Sequence, residues 1–133
     1  RKNAEAILTA VGSVLWVDDE EMLHTVTAIS GSGPAYVFYF IESMQQAGIE
    51  LGLSADQAQQ LSVLTFLGAS KLASLSSEDV AILRDRVTSK GGTTEQAILA
   101  MEKMDMKDKI ISAIHAANQR SREMSNEYSK IQA

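Results

Sequence analysis

The sequence predicts a mainly α, multi-helix bundle-like fold, and three observations carry that expectation. Pro34 is the only proline among 133 residues. The eight glycines fall between segments whose apolar residues recur at helical spacing. Several of those segments open on residue types that cap helices.

The first stretch departs from this pattern. Asn3 to Val11 reads as a short helix ending at Gly12, and Ser13-Val14-Leu15-Trp16-Val17 reads as a strand of β-branched and aromatic residues. A lone strand leaves its backbone groups without partners. A helix followed by a strand is what the last piece of an α/β domain looks like, so the chain is expected to begin inside a larger protein.

From Asp18 onward every element is expected to be helical. Asp18, with Glu21 three residues on, reads as a cap for a helix carrying Met22, Leu23, Val26 and Ile29. It stops at Ser30-Gly31-Ser32-Gly33. Pro34 then opens a helix to about Gly48 that is apolar almost all round, from Ala35 through Phe40 and Ile41 to Met44. A helix without a polar face is buried on more than one side, so a second layer or a partner subunit must cover it. Ser54-Ala55-Asp56-Gln57 has the capping-box pattern for the next helix, in which Gly68 suggests a close helix–helix approach. Ser76 to Asp79 starts another, through Val80, Leu83 and Val87. Thr93 starts one through Ile98 and Met101, with Thr93-x-x-Gln96 as its capping box. Asp105 caps the last helix, Met106 to about Tyr128. Its stripe of Ile110, Ile114, Ala117, Ser121, Met124 and Tyr128 is a heptad-like seam that suits either a dimer contact or an ordinary core face.

Composition narrows the function classes. The net charge of −5 and the lack of any Lys/Arg run argue against a nucleic-acid partner, which needs a basic face. With no cysteine there is no disulfide, thiolate metal site or Cys nucleophile. That fits a reducing cytoplasm. His24 and His115 stand far apart in sequence, and no metal site is expected. The longest apolar run, Ala35 to Ile41, is far shorter than the roughly 20 residues of a membrane span. Gly31-Ser32-Gly33 supplies a G-x-G, but it follows a helix and lacks a third glycine, so no dinucleotide site is expected there.

One constellation carries chemistry: Val87-Thr88-Ser89-Lys90-Gly91-Gly92-Thr93-Thr94-Glu95-Gln96. Two glycines let the backbone turn tightly and approach a ligand closely. A helix begins immediately after them, and its first amides have no intrahelical partner. Together they suit a small anion such as a carboxylate or phosphate. Ser89, Thr93 and Thr94 add hydroxyls, and Lys90 adds a positive charge. Gly-Gly before a Thr is also an ordinary connection between two helices, and spacing alone does not separate the two readings.

Two stretches resemble a known family. Thr27-Ala28-Ile29-Ser30-Gly31-Ser32-Gly33-Pro34-Ala35-Tyr36 is similar to the segment opening the long helix of the C-terminal domain in Δ1-pyrroline-5-carboxylate reductases. Leu83 to Ile98, followed by Leu99-Ala100-Met101-Glu102, resembles that family's signature. Gly48 to Ser54 and Leu67 to Lys71 fit as well, so the resemblance covers about residues 25 to 125 in the right order. It implies a helical C-terminal dimerisation and substrate-binding domain over residues 18–133, whose long helices interleave with a partner's. It also implies that residues 1–17 are the tail of an N-terminal Rossmann domain.

The resemblance further implies the reaction, reduction of 1-pyrroline-5-carboxylate to L-proline with NADPH or NADH bound by the other domain. The signature loop would hold the substrate through Ser89, Gly91, Gly92, Thr93 and Thr94. Amides of Gly92, Thr93 and Thr94 would anchor its carboxylate, and the Thr94 hydroxyl would lie near its ring nitrogen. The family commonly has proline where this chain has Lys90, which leaves the loop less stiff but adds a cation. A fragment lacking the nucleotide-binding half would be inactive alone. The rival expectation is a non-catalytic helical dimerisation module of a reductase-like homologue.

Overall fold

A computed structural model describes the backbone of residues 2–131 and the side chains of residues 3–128; Arg1 and residues 132–133, the ends of the two expected domains, lie outside the described residues. The elements are α1 (Lys2–Thr9), α2 (Met22–Val26), a π turn (Thr27–Gly31), α3 (Gly33–Glu50), α4 (Ala55–Leu75), α5 (Val80–Arg86), α6 (Thr93–Lys103) and α7 (Met106–Ile131). The mainly α expectation holds. The strand expected at Ser13 to Val17 does not form: no strand occurs among the described residues. Its β-propensity finds no neighbouring strand to bond with, and propensity alone does not build a ladder.

The best-capped elements lie where their local chemistry places them. Ser54 accepts from the Gln57 amide while the Gln57 side chain accepts from the Ser54 amide, a complete capping box for α4. Pro34 sits in the first turn of α3. Asp79 caps α5 by accepting from the Ala81 amide at 2.8 Å. Asp18 does not cap α2. The chain turns one residue later, where Asp19 Oδ1 accepts from the Glu21 amide at 3.0 Å, and α2 begins only at Met22.

Two packing units result. The first is the α3–α4 hairpin. At its turn the Leu53 amide donates to Gly48 O and the Gly52 amide to Ile49 O, both at 3.0 Å, with Gly52 at φ 102. This is the Schellman arrangement, which requires a left-handed residue at Gly52. The helices come closest at Gly48, where an added Cβ would lie 3.2 Å from both Ala58 Cβ and Leu53 Cδ1. The sequence suggested Gly68 for this role, but nothing lies within 4 Å of a Cβ there. A hairpin converges next to its turn, so the glycine beside the turn marks the close approach. We expect Gly48→Val to destabilise the fold by about 1–3 kcal/mol, through overpacking against Ala58, and Gly68→Ala to be neutral or slightly stabilising. Chemical denaturation of the two variants checks this; equal stabilities would contradict it.

The second unit packs α7 across α2 and the π turn. His24 Nδ1 lies 2.9 Å from Ser121 Oγ, Asn118 Nδ2 donates to Thr25 Oγ1 at 3.2 Å, and Arg122 pairs with Glu21. The π turn is closed by the Ser32 amide donating to Thr27 O at 2.8 Å, and Tyr36 Oη donates to Ala28 O at 3.1 Å. That hydroxyl ties the start of α3 to the wide turn preceding it. Along α7 the expected seam is half-buried from Ile110 to Ser121, while Met124 and Tyr128 lie exposed beyond it.

Very little of the chain is truly buried. Among the described residues only Ala28, Ala58 and Ser62 are enclosed. The accessible surface is 10962 Å², roughly 4,000 Å² more than a compact monomer of this size exposes. Much of the excess is apolar: Phe38 is 66% exposed, Tyr39 69% and Leu67 62%. Between α3 and α7 runs an open groove of about 630 Å³, whose lining includes Tyr36, Phe40, Met44, Met101, Ile110 and Ala113. Among the described residues no helix is long and apolar enough to cross a membrane.

Candidate functional site

The Gly-Gly loop joins α5 to α6, and both helices hold it firmly. Arg86 forms a two-pronged ion pair with Glu78, Nη2 to Oε1 at 2.6 Å and Nη1 to Oε2 at 2.5 Å. With the Asp79 cap, that pair clamps α5 end to end. After α5 the Val87 and Thr88 amides donate to Arg84 O and Asp85 O, and the Thr88 hydroxyl returns to Arg84 O at 2.7 Å. The chain then turns through Ser89 and Lys90, with the Gly92 amide donating to Ser89 O at 2.9 Å.

Each glycine answers a separate physical demand. Gly91 sits at φ 75, in the left-handed region that side chains disfavour. Gly92 is extended, φ −86 and ψ 175, but a Cβ on it would lie 3.0 Å from Ser89 O. The first position demands a conformation and the second demands space.

Gly92 occupies the cap position of α6, with no side-chain cap, so the expected Thr93–Gln96 capping box does not form. Since Gly92 is the extended residue, Thr93 is already helical and its hydroxyl is misplaced for capping. Glu95 instead reaches back to the Gly91 amide, Oε2 at 2.7 Å, and the Gln96 amide donates to Gly92 O at 3.3 Å. The Glu95 contact was not anticipated from the sequence, although an acidic side chain two residues into a helix is a known back-reaching partner.

The structure thus brings Ser89, Gly91, Gly92, Thr93 and Thr94 into one short turn and helix start. The Gly91 amide is taken by Glu95 and the Gly92 amide by Ser89 O, so the Gly92 amide expected to anchor a carboxylate is already engaged within the loop. The amides of Thr93 and Thr94, in the first turn of α6, have no intrahelical acceptor and the positive end of the helix dipole behind them. Ser89, Lys90, Thr93 and Thr94 are exposed, while Gly92 and Glu95 are half-buried. What the arrangement offers a small anion is an exposed helix start whose first amides lack an intrahelical acceptor.

The remaining candidates stay apart from it. His24 is engaged with Ser121. His115 lines a hollow of about 350 Å³ with Thr25, Ile29 and Asn118. Among the described residues no three His, Asp or Glu side chains gather as a cluster able to hold a metal. Gly31 and Gly33 flank Ser32 between the π turn and α3, with no strand before them.

Comparison with known proteins agrees with this architecture. A family model for pyrroline-5-carboxylate reductase dimerisation matches residues 20–124. A pyrroline-5-carboxylate reductase of Pseudomonas aeruginosa is 44% identical over 126 residues, 95% of this chain and 46% of that protein. One from Pisum sativum is 38% identical over 93% of this chain and 46% of its own length. Among solved structures, a pyrroline-5-carboxylate reductase from Coxiella burnetii superposes with a TM-score of 0.87 at 43% identity, over 92% of this chain and 45% of that one. The Plasmodium falciparum pyrroline carboxylate reductase, solved with NADP bound, superposes at 0.85 with 34% identity, over 92% of this chain and 49% of that one. This chain thus spans about half the length of the relatives it matches. With a capped helical scaffold, an exposed apolar groove and the family model matched over most of its length, the chain belongs to the pyrroline-5-carboxylate reductase dimerisation family.

Proposed function

We propose that this chain is the substrate-binding, dimer-forming C-terminal part of a cytoplasmic pyrroline-5-carboxylate reductase, which reduces 1-pyrroline-5-carboxylate to L-proline with NADPH or NADH. The observation that carries the reading is the start of α6, where the Gly91-Gly92 turn after Lys90 leads into the amides of Thr93 and Thr94, which have no intrahelical acceptor. Residues 1–17 are the tail of the preceding nucleotide-binding domain and 18–133 the helical domain. The family model starting at residue 20 and the exposed apolar residues of the first stretch, Val11 at 86% and Leu15 at 81%, support that division.

This chain's task is to bind and orient. The amides of Thr93 and Thr94 receive the substrate carboxylate, with Ser89, Gly91 and Gly92 shaping the turn around it. The Thr94 hydroxyl faces the ring nitrogen and fixes the imine. An imine of this kind is readily protonated, so no strong general acid is required here. Lys90 adds favourable charge at the mouth. The nucleotide is assigned to the other domain, and its chemistry to that domain's residues.

The bare groove between α3 and α7 and the exposed apolar side chains around it support a homodimer in which a second copy covers the apolar faces. Obligate interfaces bury about 2,000–5,000 Å² counted over both partners, about 1,000–2,500 Å² per chain, which the surplus surface of this chain is ample to supply.

Titration with proline or tetrahydrofuran-2-carboxylate, followed by amide chemical shifts, tests the site. Shifts concentrated in residues 88–96 are expected at millimolar ligand. No shift there would favour a helical dimerisation module without an intact site.

A further inference from the structure

The geometry points to Glu95 as a positioning residue of this site: its carboxylate braces Gly91 in the left-handed conformation, so that the first amides of α6 stay aimed at the substrate's carboxylate. The inference rests on the reading of the loop just given.

Gly91 sits at φ 75, and nothing lies within 4 Å of where its Cβ would be. A glycine with open space around it populates several backbone wells unless something outside it selects one. The selection comes from its amide, held by Glu95 Oε2 at 2.7 Å. Glu95 is the third residue of α6, so its backbone belongs to a rigid element. Its side chain is half-buried, whereas Ser89, Lys90, Thr93 and Thr94 around it are exposed. The bond therefore links the turn to the helix that follows it. Where the usual N-terminal box joins the third helical side chain to the cap residue, here the reach extends one residue further back, to Gly91.

The arrangement has an electrostatic consequence. A bound substrate carboxylate has the Glu95 carboxylate as a neighbour across one turn, and both draw on the same helix end. Repulsion between them opposes binding, so the property the brace supplies is reach and acceptance, not negative charge. A glutamine matches the reach and accepts through its amide oxygen. An aspartate keeps the charge but is one methylene shorter and falls short of the Gly91 amide.

Steady-state kinetics of the full-length reductase with wild type, Glu95→Ala, Glu95→Asp and Glu95→Gln test the assignment. The KM for pyrroline-5-carboxylate is expected to rise at least about fivefold in the Ala and Asp variants, with kcat within about twofold, and to stay within about twofold of wild type in the Gln variant. A KM unchanged or lowered in Glu95→Ala overturns the proposal. So does an Asp variant like wild type beside an impaired Gln variant, which would make charge the working property. Amide exchange at Gly91 gives a second reading independent of turnover. It should be faster in the Ala and Asp variants than in wild type and Gln, and equal rates in all four overturn the brace. Wild-type protein that does not reduce pyrroline-5-carboxylate would count against the proposed reaction, while the exchange measurement would still decide the brace.

Discussion

Thr94→Ala in the full-length protein is expected to lower kcat for pyrroline-5-carboxylate reduction at least about tenfold, equivalent to about 1.4 kcal/mol of transition-state stabilisation. Thr94 is the second residue of α6 and is exposed. Its amide is available to the carboxylate whatever its side chain, so the substitution removes only the hydroxyl. Binding through the backbone should survive, and the loss should fall on turnover because an unfixed imine spends less time in a reactive orientation. Thr94→Ser keeps the hydroxyl and is expected to retain most activity. Stopped-flow or steady-state assays monitoring nucleotide oxidation check the pair. Near-normal turnover in the Ala variant would remove Thr94 from the chemistry, leaving only its backbone in play.

The second large effect is expected in the groove between α3 and α7. Ala113 lies on the exposed face of α7 and lines the groove together with Tyr39, Phe40 and Met44. In a monomer, Ala113→Arg would be a surface substitution to a good helix former and would change stability by less than about 0.5 kcal/mol. Covered by a second copy, the same guanidinium is forced into an apolar seam without a partner. The effective cost of such a burial is several kcal/mol. We therefore expect the dimer dissociation constant to rise at least about a hundredfold, with a matching fall in melting temperature that depends on protein concentration. Sedimentation velocity across a concentration series reads the first and calorimetry the second. A variant that stays dimeric with an unchanged melting point would place the interface elsewhere.

Much of the fold was legible because helix ends are local chemistry. Ser54 with Gln57, Pro34 and Asp79 declare their roles within one turn of chain, and each is found at the start of its helix. The apolar circumference of α3 was legible as well, since a helix with no polar face states that it needs covering on several sides. Elements depending on distant partners were not. Ser13 to Val17 has the composition of a strand and no strand to pair with among the described residues. Gly48 and Gly68 look alike in sequence, and only the hairpin's convergence at Gly52 makes one of them the point of close approach.

The candidate site divides the same way. Gly91-Gly92 followed by Thr93-Thr94 marked an anion-friendly helix start from residue types alone. The cap of α6 was misread as a Thr93–Gln96 box, because Gly92, Thr93 and Glu95 can each serve the first turn in a different arrangement. The folded loop selects an extended Gly92 and a back-reaching Glu95.

By itself, then, the sequence determined the helical class and the principal helix starts and singled out the glycine-rich turn proposed as the site, since all of these follow from interactions within about one helical turn. The tertiary structure decided which glycine lets α3 meet α4, which side chain holds Gly91 and how much apolar surface is left uncovered. Those depend on distances between segments far apart in the chain, and no local pattern encodes them.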